Sequence, residues 1–174
     1  GGIGSAGTRT GNILVAPVAF RASASFQRPG DTNAYAQYDA ITNSTSAPAV
    51  MTLTIAGAAA GDFIDVRNVR VNTSTKPSGV KLSANVFLGK ATFTGTNDNA
   101  ELSIDDTTAL GGIWAVCANQ FQTALNYRVS SDPVSMLCQL SEANLYGTIQ
   151  ANTAWAPGNA DTITLVVEGY LYKA

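Results

Sequence analysis

Apolar and polar residues alternate with a period of two at both ends of this chain, and that pattern most limits what it can fold into. Leu14, Ala16, Val18, Phe20, Ala22, Ala24 and Phe26 share one parity. Near the other end, Ile163, Leu165, Val167 and Leu171 face one way, while Thr162, Thr164, Val166, Glu168, Tyr170 and Tyr172 face the other. A helix repeats every 3.6 residues and would scatter these sets around its surface, whereas a strand lines each set on one face. Both segments therefore predict half-buried β-strands.

The stretches between them read the same way. Met51, Leu53 and Ile55 alternate with Thr52 and Thr54, and Val80, Leu82, Ala84, Val86 and Leu88 repeat the pattern. Tyr35 to Thr42 reads as a short strand, and further strands are predicted near 112–118, 122–129, 134–140 and 145–151. Within 63–72, Ile64 and Val66 share one parity but Val69 and Val71 share the other. A β-bulge near Arg67-Asn68 would switch the face in this way. Pro17 cannot donate to a ladder, so the first strand is placed at a sheet edge or a bend. RPGDTNAY (28–35) reads as a turn, GAAAG (57–61) as a small-residue connection and TGTNDNAE (94–101) as a polar loop. Asp105 to Leu110 could form one helical turn capped by Asp105 or Asp106.

No amphipathic helical repeat and no internal repeat is present, so many short strands imply two packed sheets. A long first strand and irregular spacing favour a jelly roll over a meander. The expected fold is all-β: a jelly-roll-like β-sandwich over residues 13–174 as one domain, preceded by an extended Gly-rich N-terminal arm, residues 1–12. The arm holds Gly1, Gly2, Gly4, Gly7 and Gly11. Glycine pays the largest ordering entropy, so such a segment orders only when held against something, and a neighbouring chain is the expected support, with packing on its own domain as the alternative.

Composition narrows the function. The chain of 174 residues has no histidine, which removes the commonest general base and metal ligand. Without it a Ser-His-Asp triad is impossible, and no GxSxG elbow or Walker A sequence occurs. GIGSAG (2–7) matches GxGxxG, but no strand precedes it and no helix follows, so it is not read as a nucleotide loop. Charged residues make up 13% of the chain, about half the usual share of roughly 25%. A surface so poor in charge suits a protein covered by partners. The net charge of −2, with no basic block, gives no footprint for nucleic acid. No run of about 18 apolar residues is present to span a membrane as a helix. The opening GGIGSAGTRTGN lacks the basic and apolar regions of a signal peptide, and the absence of Met at position 1 suggests removal or processing.

Cys117 and Cys138 lie in the apolar runs IWAVC and VSMLCQL and read as small buried hydrophobes, with a disulfide as the alternative. They are too far apart in sequence for a CxxC metal pair. Acidic residues are the remaining route to catalysis, but Asp31, Asp62 and Asp98 sit in PGDT, AGDF and TNDN, where Asp caps its own turn. Glu168, mid-strand on the polar face, reads as solvated or interfacial. Asn97, Asp98, Asn99, Glu101, Asp105 and Asp106 are rich in oxygen ligands, yet their spacing does not match an EF-hand. No enzyme activity, metal or cofactor is expected. Trp114, in GGIWAVC, reads as core, and Trp155, ahead of a Pro-Gly turn, as the exposed aromatic. The sequons Asn43-Ser44-Thr45 and Asn72-Thr73-Ser74 would matter only in a secretory host.

FQRPGDTNAYAQYDAITNST (26–45) resembles the opening motif of a family of tailed-bacteriophage virion proteins. The matching residues are Arg28-Pro29, Asp31-Thr32, Ala34-Tyr35, Asp39 and Asn43-Ser44. NDNAELSIDD (97–106) and TITLVVEGYLYK (162–173) are similar to later parts of the same pattern, in the same order. The resemblance implies a decoration or cement protein on the outer surface of a phage head, bound to the major capsid protein. Copies are also expected to bind one another, and the general preference for closed symmetry makes a trimer or other closed homo-oligomer the expected form. It carries over no catalytic residue. Gly1, Gly2, Ile3, Gly4 and Arg9 of the arm, with Trp155, Tyr170 and Tyr172, are the expected interface residues. A tail or fibre module gripping host glycans is the alternative reading.

Overall fold

The computed structural model describes residues 16–74, 81–88, 94–103, 113–120 and 136–174, with the backbone alone for 81–88, 113–120 and 136. Nine strands occur in this part and no helix does: β1 (Val18–Gln27), β2 (Ala40–Ile41), β3 (Met51–Thr54), β4 (Phe63–Thr73), β5 (Lys81–Leu88), β6 (Ile113–Gln120), β7 (Met136–Gln139), β8 (Asn144–Ala151) and β9 (Thr162–Tyr172). They form two antiparallel sheets. One runs β1-β9-β4-β7; the other runs β2-β8-β5-β6, with β3 following β2 along the same side of β8.

The pairing is nested. β1 pairs with β9, β2 and β3 with β8, β4 with β7, and β5 with β6. Two further pairings, β9 with β4 and β8 with β5, then join these ribbons into the two sheets. The first described strand thus meets the last, and successive inner strands meet in turn.

Both sheets contribute to one core. Phe20, Ile64, Val69, Val71, Ile163, Leu165 and Val167 come from the first sheet, and Ile41, Leu53, Leu145 and Ile149 from the second. Burying one such side chain contributes about 1.5–3 kcal/mol, so the apolar parity of each strand decides which face turns inward. On β9 all four residues of the apolar parity are buried, as the alternation predicts. Val166 departs from the pattern: it is 1% exposed although it shares the outer parity, flanked across the sheet by Ser23 and Arg70.

The face switch in β4 is a register shift between Val66 and Asn68, where the sequence places a bulge. Ile64 and Val66 point inward before it and Val69 and Val71 after it, so the extra residue keeps both apolar pairs in the core. β1 has β9 as its only strand partner in the described sheet and begins one residue after Pro17, consistent with an edge. The strand expected at Tyr35 to Thr42 is shorter, limited to Ala40–Ile41, with Tyr35 making an isolated bridge to Trp155. Residues 1–15, the helical turn expected at Asp105 to Leu110 and the strand expected at 122–129 lie outside the described residues. Cys138 is a free thiol, and burial pushes it up to about 11.

Candidate functional site

The residues of the 26–45 motif gather at the end of the molecule where β1 finishes. Arg28 follows β1 directly and is 2% exposed. Its Nε donates to the Tyr35 hydroxyl, which donates to Asp98 Oδ1 at 2.7 Å. Arg28 Nη2 lies 3.4 Å from Asp98 Oδ2 and 3.5 Å from Asp31 Oδ1, and Nη1 reaches the Gly158 carbonyl at 3.3 Å. The backbone N–H of Thr42 also donates to Asp98 Oδ1, at 2.8 Å. Tyr35 stacks on Trp155 with ring centres 5.6 Å apart, and the Arg28 guanidinium sits 4.7 Å from the Tyr35 ring centre.

Three connections are thereby tied together: that between β1 and β2, that between β5 and β6, and that between β8 and β9. The ties extend along the backbone. Asp39 accepts from the Ala36 N–H at 2.6 Å, Ser44 Oγ accepts from Ser46 and Ala47, and the Ser44 carbonyl accepts from Asp98 N. With its amide turned to satisfy both neighbours, Asn99 donates to Ala34 O at 3.0 Å and to Asp39 Oδ2 at 3.1 Å. The first two islands of the resemblance are therefore in contact.

Electrostatics at this cluster follow from burial. Burial pushes the Asp98 carboxyl up, against the opposing pull of the Thr42 N–H, the Tyr35 hydroxyl and Arg28. It also pushes the Tyr35 phenol well above the usual range, which keeps it a hydrogen-bond donor. For Arg28 burial works against the charge, but Tyr35, Asp98 and Asp31 outweigh it. These groups serve as one another's partners, and together they clasp the three connections.

Two expectations are corrected here. Trp155 was expected to be the exposed aromatic, yet it is 7% exposed because Tyr35 stacks on it and bridges its backbone. Asp98 was expected to cap its own turn, yet it serves Thr42, Tyr35 and Arg28 from distant parts of the chain. Asp31 behaves as expected, accepting from Asn33 N at 3.0 Å. Among the described residues no group of three or more acidic or cysteine side chains is placed to hold a metal ion.

Asp62 makes a second anchor. Its carboxylate accepts from Lys173 Nζ at 2.6 Å, Ala174 N at 3.0 Å and Ala59 N at 2.8 Å. The Lys173 bond, then that from Ala174, holds it below the usual carboxylate range. A carboxyl whose folded pKa is lowered stabilises fully above its unfolded value of about 4 and loses that contribution as pH falls through the folded value. Asp62→Asn will therefore cost more stability at about pH 7 than at about pH 3, read by urea unfolding. An equal cost at both would contradict the assignment.

The exposed features lie at the opposite end, on the outer face of the β1-β9-β4-β7 sheet. One cross-strand row is Ala19, Tyr170, Asp65 and Leu137; the next is Tyr172, Phe63 and Gln139. Leu137 is 64% exposed, Tyr170 43% and Phe63 40%. Phe63, Asp65, Leu137 and Tyr172 line a shallow groove of about 550 Å³. Of the five large apolar residues exposed in the described part, three are on this face; Val18 and Tyr38 are the others. The sequence singled out Tyr170 and Tyr172 correctly as outward-facing, but not Phe63 and Leu137. Their outward parity was the available signal. Farther along the same face the character changes to polar: Glu168 meets Arg70, Arg21 at 3.6 Å and Asn68 Nδ2 at 2.9 Å. Gly1, Gly2, Ile3, Gly4 and Arg9 lie outside the described residues. No family model matches the chain, and no curated protein matches it.

Proposed function

We propose that this chain is a non-enzymatic structural subunit, a decoration or cement protein that binds the major capsid protein on the outer surface of a tailed-phage head. The observation that carries the reading is the exposed apolar face of Phe63, Leu137 and Tyr170 on an otherwise well-tied all-β body. Contiguous exposed apolar surface marks contact with another macromolecule. The buried clasp of Arg28, Tyr35 and Asp98 gives the resembling motif a scaffolding role, which suits a rigid building block better than a catalyst.

The finer fold is proposed to be a jelly roll within a β-sandwich. Counting β2 and β3 as one position beside β8, eight strand positions pair from the outside inward, as when one long hairpin is wrapped over itself. Residues 1–12 would extend from this body as an arm to a neighbour, and copies would form a closed homo-oligomer. Many moderate contacts repeated over a symmetric shell then add up to durable attachment.

Co-sedimentation with purified, undecorated capsids, followed by electron microscopy, tests this. Saturable binding at regular lattice positions is expected, and deletion of residues 1–11 should weaken it. Absence of binding would overturn the capsid reading. Tyr170 and Tyr172 beside Asp65 favour one second reading, a glycan-binding tail module, which predicts sugar-dependent stabilisation instead.

A further inference from the structure

We infer that two copies of this chain pair through the outer face of Phe63, Asp65, Leu137, Tyr170 and Tyr172, about a two-fold axis. The inference rests on the reading as an assembling subunit and narrows it, replacing the expected trimer with an isologous dimer.

Three observations point to a second copy as the occupant. The row of Ala19, Tyr170, Asp65 and Leu137 crosses all four strands of the sheet, with Phe63 and Tyr172 in the row beside it, so the face is broad enough to meet another sheet. Among the described residues the charged pair at these two rows is Asp65 with Arg67, which balances, while Arg21, Arg70 and Glu168 lie farther along the face, so the two rows can meet their own copy without unlike numbers of charges opposing one another. That pair is also incomplete in a complementary way. Among the described residues Asp65 Oδ1 is buried with no hydrogen-bond partner, while Arg67 is about half exposed and spends one Nη on Asp65 Oδ2. A buried acceptor left unpaired is costly, and a guanidinium carries five donors. Across a two-fold axis, Arg67 of each copy can supply the donor that Asp65 of the other lacks, with a small rotation of the Asp65 side chain. A two-fold contact requires this reciprocity: residue i meets j, and j meets i. A strongly acidic or basic partner would find no excess charge here to answer it.

Sedimentation equilibrium of the full chain over roughly 1–100 μM tests the inference. Twice the monomer mass is expected. Leu137→Asp, at a residue 64% exposed and so compatible with folding, should weaken pairing by about 30-fold or more, as for a central interface residue. Arg67→Glu and Tyr170→Ser should do likewise, and they decide the matter if Leu137→Asp fails to fold. Tyr38→Ser, at an exposed residue in the connection between β1 and β2, should leave the mass unchanged. A monomer at every concentration, a trimer, or a dimer indifferent to these face variants would overturn the inference. The outcome is separable from the proposed function: a monomer that still saturates capsids removes only the dimer, and a dimer that ignores capsids removes only the capsid reading.

Discussion

Gly169→Ala will lower stability by more than about 3 kcal/mol, beyond the usual cost of overpacking, or prevent folding. A Cβ at this position would lie 2.1 Å from the Asp65 carbonyl oxygen, 3.0 Å from its carbon and 3.1 Å from Phe20 Cε1. The first two are backbone atoms, and β9 is hydrogen-bonded on both sides, to β1 and to β4, so neither strand can draw back without breaking a ladder. The bulge between Val66 and Asn68 lies directly across from Gly169. The tightened backbone of a bulge and the missing side chain opposite it belong to one arrangement. Gly30→Ala is the control: its nearest neighbour would be Asn159 Oδ1 at 3.6 Å, an ordinary contact, and the expected change is within about 0.5 kcal/mol. Urea unfolding of the two variants measures both, and equal midpoints would refute the account.

The second large effect is expected at Asp98. Asp98→Ala removes the main carboxylate facing a guanidinium that is fully buried, and it leaves the Tyr35 hydroxyl and the Thr42 N–H without their acceptor. Breaking a buried pair from one side costs about 3–5 kcal/mol, whereas replacing both partners by apolar groups can be nearly neutral. The double variant Arg28→Met, Asp98→Ala should therefore be more stable than Asp98→Ala alone, a non-additivity that unfolding of the two singles and the double would measure. Asp31, 3.5 Å from Arg28 and partly exposed, softens the loss without replacing Asp98. If the costs simply add, the charges are not coupled and the cluster is held by packing of Tyr35 on Trp155.

How much of this was legible in the sequence depended on distance along the chain. Strand faces follow from neighbours two residues apart, so the inward set of β9, the bulge in β4 and the Phe20 to Phe26 part of the set in β1 could be read directly, whereas Val18 and Ala16 of that set are exposed. The clasp could not be. Trp155 looks exposed beside Pro157 and Gly158 because its cover, Tyr35, belongs to a different connection. Asp98 looks like a turn residue because the guanidinium that claims it lies at the end of β1. The spacing of Arg28, Asp31 and Tyr35 marked a pattern, but only the meeting of three connections explains those residue types. Gly169 did carry a local signal, a glycine interrupting an otherwise strongly alternating strand, and its meaning appears only when Asp65 is seen across from it.

Nested pairing has a consequence for how the chain matures. β9 is interior to its sheet and joins β1 to β4, with Val18 meeting Leu171. During synthesis β1 must wait for β9, its only described strand partner, until that strand has left the ribosome. Pairings so remote in sequence form late and slowly. The innermost pair, β5 with β6, is the natural place for structure to begin, and closure would proceed outward from it. Until that closure the apolar face of β1 is an open edge in a crowded solution. The nascent protein's vulnerable interval is therefore set by the translation of β9.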